Sequence, residues 1–157
     1  YSHRIGSVVA EIASGLGFGW WYAPGSSEWI NNPHYKDTDN ENTSDPVRSL
    51  LKEKWRQKKE YAQKSYGVTL DWFNNYSKSR DHIMKSDILP KTDTKILMTV
   101  PIIDVLVSPI SSLHLCTMIF NCTSIEYKDA RHELYLERNS IRDRWITDIL
   151  TWIQSNT

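Results

Sequence analysis

Two cysteines, six glycines, six prolines and no surplus of either charge leave this chain with few of the usual signatures. Cys116 and Cys122 are too few for the disulfide framework of a small secreted scaffold or for a paired C-x-x-C zinc site. In an extended segment their Cα atoms would lie about 20 Å apart, at roughly 3.3 Å per residue. A disulfide tolerates about 4.4–6.8 Å, so the two bond only if a turn separates them. Nineteen basic groups against nineteen acidic ones argue against a dedicated nucleic-acid binder, though not against a local patch. No stretch reaches the roughly 20 apolar residues that a spanning helix needs. H-E-x-x-H, a Walker loop and G-x-S-x-G are missing too, so no linear motif announces a metal, a nucleotide or a serine nucleophile. No cofactor and no metal are expected.

What the chain does have is aromatic: seven tryptophans and eight tyrosines in 157 residues. Such rings anchor cores and recognition surfaces, offering a large apolar face with one polar handle. The most distinctive stretch is residues 5–27, where Glu11 is the single charge. Ile5, Val8, Val9, Ile12 and Leu16 fall at helical spacing. Gly15, Gly17 and Gly19 then interrupt a run closing in Trp20, Trp21 and Tyr22. The segment predicts a helix over about 2–16 with Gly17 as its stop, followed by an aromatic patch suited to a membrane interface or a partner.

Residues 23–45 predict a long loop, of the length that is functional or mobile in compact domains. A second helix over about 46–66 takes its N-cap from Ser44 or Asp45, with Pro46 at the first helical position. Its inner face would carry Val47, Leu50, Leu51 and Trp55. A third helix is predicted over about 69–86. Then β-branched and aliphatic residues dominate, predicting strands over about 95–107 and 113–123, with Pro101 at an edge or bulge. A long helix over about 127–154 closes the chain. The order α-α-α-β-β-α in a single domain, 1–157, predicts an α+β fold with helices packed on a small β-sheet.

Charge is uneven along this order. Residues 1–45 net −4 (two basic, six acidic), 46–91 net +6 (eleven and five) and 92–157 net −2 (six and eight). The basic middle third interleaves lysines and arginines with aromatics, a pattern that suits phosphates and stacked bases. The bland alternative is the solvated face of two amphipathic helices. In the last predicted helix, Asp129, Glu133 and Glu137 recur every four residues. Lacking a matching copy elsewhere, they read as an exposed acidic face rather than a di-metal site.

Asp104, inside an aliphatic run, is the best single candidate for a functional carboxylate, because a buried acid is costly unless it is paired. The structural alternative is an edge position or a pair with an arginine such as Arg142. Histidines His82, His114 and His132 are candidates for acid–base work beside it.

Two readings of function follow. The first is a non-enzymatic interaction domain, toxin-like or an assembly subunit. It contacts a protein partner or a membrane surface through Trp20, Trp21, Tyr22 and Trp29. The second is a small hydrolase or nuclease, binding phosphodiesters through the basic middle third. It uses Asp104 with one of the three histidines, and predicts such a pair within hydrogen-bond reach. Sequons at Asn42 and Asn75, and a start at Tyr1 rather than Met, fit a secreted or extracytoplasmic glycoprotein with further sequence ahead of it.

Overall fold

The computed structural model describes residues 2–26, 41–57 and 67–156. Its elements run α1 (Ser2–Gly15), α2 (Pro46–Gln57), α3 (Leu70–Lys85), the short α4 (Ile88–Lys91), β1 (Ile96–Pro101), α5 (Pro109–Met118), β2 (Cys122–Tyr127) and α6 (Asn139–Asn156). A 3₁₀ turn, Leu134–Leu136, precedes α6. The fold is α+β, with α5 and α6 packed against a two-stranded sheet. The described residues form two compact units, one holding α1 and α3, the other holding α2, α4, α5, α6 and both strands. None of the described helices is long and apolar enough to cross a membrane.

In the first unit, the glycine-rich stretch explains itself through its backbone. Past α1, the Phe18 amide donates to the Ala13 carbonyl (2.8 Å) and the Gly17 amide to that of Ser14 (3.1 Å). This is the paired C-terminal motif that calls for a left-handed residue, and Gly17 supplies it at φ 85°. The chain then caps α3. Its first amides, on Leu70 and Asp71, donate to the carbonyls of Trp21 (2.9 Å) and Gly19 (2.8 Å), while the Trp72 amide donates to the side chain of N-cap Thr69 (3.2 Å). Three orphan donors of the helix are thereby satisfied. A β-carbon at Gly19 would meet the Asp71 carboxylate, which would have to turn aside to admit it.

In the second unit, β1 and β2 pair in parallel, from Ile96 opposite Cys122 to Pro101 opposite Tyr127. Parallel neighbours need a crossover, and α5 provides it. The predicted strand over 113–123 is corrected accordingly: residues 109–118 are helical. Ser108 is the N-cap, its hydroxyl accepting from the Ser111 amide, and Pro109 takes the first turn. A turn at Ile119 then brings Cys116 and Cys122 together as a disulfide, Cα atoms 5.4 Å apart.

Two other boundaries move. The first strand ends at Pro101 rather than 107, and the last helix starts at Asn139 rather than 127. Asp129, Glu133 and Glu137 therefore share no helical face. The core of this unit gathers Tyr127, Ala130, Leu134 and Ile141, with Ile125 and Trp145 against it. The Trp145 indole donates to Thr99 on β1 (3.2 Å), and the buried Tyr127 hydroxyl donates to Asp148 on α6 (2.8 Å). The expected inner face of α2 is also corrected, since Val47, Leu50, Leu51 and Trp55 are exposed. Asp45 is its N-cap, accepting from the amides of Val47 and Arg48. The polar side of α2 reaches the rest of the unit: Arg48 donates to the Glu137 carbonyl and to Asn139, and Lys52 pairs with Glu133. Residues 58–66 of the predicted second helix, and 27–40 of the predicted loop, lie outside the described residues.

Candidate active site

Each strand of the parallel pair runs, at its C-terminal end, into a loop with titratable side chains: Asp104 after β1, and Lys128, Asp129, Arg131, His132 and Glu133 after β2. Past Pro101 the chain turns, and the Ile102 amide donates to the Tyr127 carbonyl (3.0 Å) and that of Ile103 to Ala130 (3.2 Å). These bonds stitch the loop after β1 to the loop after β2. Asp104 follows on the first loop and His132 on the second. Crevices at the carboxyl ends of parallel strands are where α/β sheets place their ligands.

Asp104 is fixed on both sides of its carboxylate. One oxygen, Oδ1, accepts from the amides of Leu106 (2.8 Å) and Val107 (3.1 Å). The other, Oδ2, meets His132 Nδ1 at 2.8 Å. Burial pushes this carboxyl up, but the bond to His132 and the two amides outweigh it, leaving the group below the ordinary aspartate value of 3.8. At neutral pH Asp104 is therefore an acceptor only, and Nδ1 is the donor. In the neutral ring, Nε2 then carries the lone pair. The Asp104 side chain is 5% exposed whereas that of His132 is 35% exposed, so the acid is shut in and the base is open to a reactant. Among the described residues no hydroxyl or thiol bonds to Nε2.

The loop around His132 is held from several directions. The Glu133 amide donates to the Asn42 carbonyl (2.7 Å), and its carboxylate pairs with Lys52. Glu137, fully buried, accepts from the Arg131 amide (2.8 Å), from the Ser44 amide (2.9 Å) and from the Ser44 hydroxyl. Burial raises the Glu137 carboxyl, yet the bonds from Ser44 and from the Arg131 and Arg138 amides outweigh burial and hold it below 4.5. Thr43, also buried, donates to the Leu136 carbonyl (2.8 Å). Sequence reasoning singled out neither Ser44 nor Lys52 for this site, and took Glu133 and Glu137 for surface.

Of the histidines proposed beside Asp104, His132 is the one bonded to it. His114 is exposed on α5, its carbonyl accepting from Thr117. His82 is exposed on α3 in the other unit, where Asp81, His82, Lys85 and Ser86 line a shallow cavity of about 310 Å³. Asp104 lies in a loop rather than in a strand, and its partner is His132, not Arg142. Trp20, Trp21 and Tyr22 stand exposed in the α1–α3 unit, while Trp29 lies outside the described residues. Asn75 is exposed on α3. Asn42 is half-buried, its carbonyl engaged by Glu133. Among the described residues, no group of three His, Cys, Asp or Glu side chains is placed to hold a metal ion.

No protein-family profile matches the chain, and no curated protein matches it in sequence. The fold, however, is similar to that of a solved monoglyceride lipase from Saccharomyces cerevisiae, a soluble variant in complex with a substrate analog. The TM-score is 0.64 at 14% identity, over 96% of this chain and 49% of that one. The chain thus spans about half the length of the lipase it resembles. The expectation of a non-enzymatic interaction domain is corrected by this finding: the fold is one that a hydrolase uses, and an acid–histidine pair is assembled in it.

Proposed function

We propose that this chain carries the acid–base half of a hydrolase that cleaves carboxylic esters by a nucleophile–histidine–aspartate mechanism. The observation that carries the reading is the 2.8 Å bond from His132 Nδ1 to the shielded Asp104 carboxylate, on a histidine whose side chain is partly exposed. Chain order supports it, since in hydrolases built on parallel sheets the acid precedes the histidine and the nucleophile precedes both. In this reading the nucleophile is a hydroxyl or thiol outside the described residues.

His132 Nε2 takes the proton of that nucleophile as its oxygen or sulfur bonds to the ester carbonyl carbon. Asp104 holds the ring in the Nδ1–H tautomer and stabilises the imidazolium that forms. As the C–O bond to the leaving alcohol breaks, Nε2 returns the proton to that oxygen. Water then repeats the sequence on the acyl intermediate, releasing the acid and the free nucleophile.

The surroundings favour an ester with an apolar chain over a phosphodiester. Val105, the residue after Asp104, is 72% exposed, so the loop that carries the acid presents an apolar side chain to solvent. Arg48 and Lys52, basic groups that a phosphate would need, are engaged by Glu137, Asn139 and Glu133. The lipase of similar fold acts, by its name, on monoglycerides, and we take acyl esters as the substrate class here.

The test is hydrolysis of para-nitrophenyl butyrate by the intact protein. Asp104→Asn is expected to lower kcat about 10⁴-fold, because an asparagine favours the wrong tautomer of the histidine. His132→Ala is expected to lose at least as much. Ester hydrolysis that is indifferent to both substitutions would sink the reading.

A further inference from the structure

A second carboxylate sits behind His132 and takes no part in the hydrolytic steps above. Glu137 is fully buried, and a buried carboxylate is tolerated only when its oxygens are saturated with donors. Here one oxygen, Oε1, takes two amides at once, those of Arg131 (2.8 Å) and Ser44 (2.9 Å), while Oε2 takes the Ser44 hydroxyl. Arg131 is the residue before His132, and Ser44 lies beside Asp45, the N-cap of α2. The carboxylate is thus a stud joining the histidine loop to the start of a helix. On the other side of His132, the Glu133 amide is fixed by the Asn42 carbonyl and its side chain by Lys52. Both peptide neighbours of the histidine are therefore tied to the single segment that contains Asn42, Ser44 and α2.

We propose that Glu137 is a positioning residue for His132: by holding the Arg131 peptide it sets where the imidazole stands and keeps Nδ1 on Asp104. The functional weight rests on the hydrolase reading, because that reading gives His132 its task. What matters in this role is reach, not charge. Glu137→Gln retains an oxygen for the Arg131 and Ser44 amides, and its amide group faces a serine hydroxyl that can turn to accept. Glu137→Asp keeps the charge but withdraws the oxygens by about 1.5 Å, the length of one C–C bond.

The experiment is nitrogen-15 NMR of the histidine rings in the full chain at neutral pH, alongside turnover of para-nitrophenyl butyrate. The wild type is expected to show His132 as the Nδ1–H tautomer with that proton protected from exchange. Glu137→Gln should keep the tautomer and lie within about threefold of wild-type kcat. Glu137→Asp should lose the protection and mix the tautomers, with kcat down about 10–100-fold and KM within twofold. Misplacement of a catalytic group by about 1 Å has that size of effect. If Glu137→Asp does not fold, Ser44→Ala loosens the same carboxylate from its far side and must also speed exchange of the His132 proton.

An aspartate variant with the wild-type tautomer and exchange rate overturns the proposal, and so does a glutamine variant that loses them. If the ring responds as expected but wild-type protein hydrolyses no ester, the positioning role stands and the hydrolase reading falls.

Discussion

A carboxylate sealed inside a protein does two jobs at once when backbone amides meet it, and Glu137 shows how they combine. Its bonds to Arg131, Ser44 and Arg138 shape the histidine loop, and together they hold the group ionised despite burial. The same holding makes stability depend on pH. A carboxyl whose folded value lies below its unfolded one contributes fully above the unfolded value and loses that contribution as pH falls through the folded one. The ordinary values are 4.5 for Glu137 and 3.8 for Asp104, and both are depressed in the fold. Stability of the unit that holds them is therefore expected to be flat from neutrality to about pH 5 and to fall below it. In urea titrations across this range, Glu137→Gln should lose less stability between pH 5 and pH 3 than wild type does. Parallel curves would show that the bonds to Glu137 do not favour its charged form. At this scale the sequence was half legible. Asp104 stood out as an acid among Ile102, Ile103, Val105 and Leu106, whereas Glu137 was disguised by its four-residue spacing from Glu133, which mimicked a helical surface stripe.

Elements depend on their ends, and here the ends decide how the loops are read. Ser108-Pro109 is the instructive pair. Taken as a terminator it closes a strand and leaves 113–123 as another. Taken as N-cap and first helical residue, it opens α5, and the order becomes strand, helix, strand. A crossover of that kind joins parallel strands, and parallel strands put the residues after Pro101 and after Tyr127 at the same end of the sheet. Asp104 and His132 could then have been paired from the sequence alone. The apolar run over 113–123 hid this, since a short buried helix and a buried strand have the same composition. Gly17, by contrast, was legible as a stop, because only one residue type adopts its left-handed conformation without strain. Gly17→Ala is accordingly expected to lower the stability of the α1–α3 unit by about 1–2 kcal/mol. Gly15→Ala, inside the last turn of α1 and with nothing within 4 Å of its would-be β-carbon, should be neutral or mildly stabilising. Denaturant melts of the two variants followed by tryptophan emission check the pair, and equal effects would contradict the assigned role of Gly17.

For the molecule as a whole, the acid and base of the proposed site come from one unit, and the proposal puts the nucleophile they would serve outside the described residues. The chain spans about half of the lipase whose fold it shares. The His132 side chain is 35% exposed with Nδ1 on Asp104, which makes Nε2 the atom that a nucleophile must meet. A reagent that reacts only with an activated serine, such as a fluorophosphonate, turns this into a location. It bonds phosphorus to the nucleophile oxygen, expels fluoride, and needs the histidine to take the hydroxyl proton. If the nucleophile is a serine, the labelled peptide of the intact protein should fall outside residues 2–26, 41–57 and 67–156, and labelling should fall steeply in His132→Ala. Glu137→Asp should label slowly but fully, since a misplaced base still accepts a proton when its ring swings back. Peptide mapping by mass spectrometry reads all three. A label on Ser44, Ser108 or another described hydroxyl would move the reacting atom among the described residues and require a different geometry at Nε2. Labelling at full rate without His132 would mean that the Asp104–His132 pair, however well built, is not the base that the nucleophile uses.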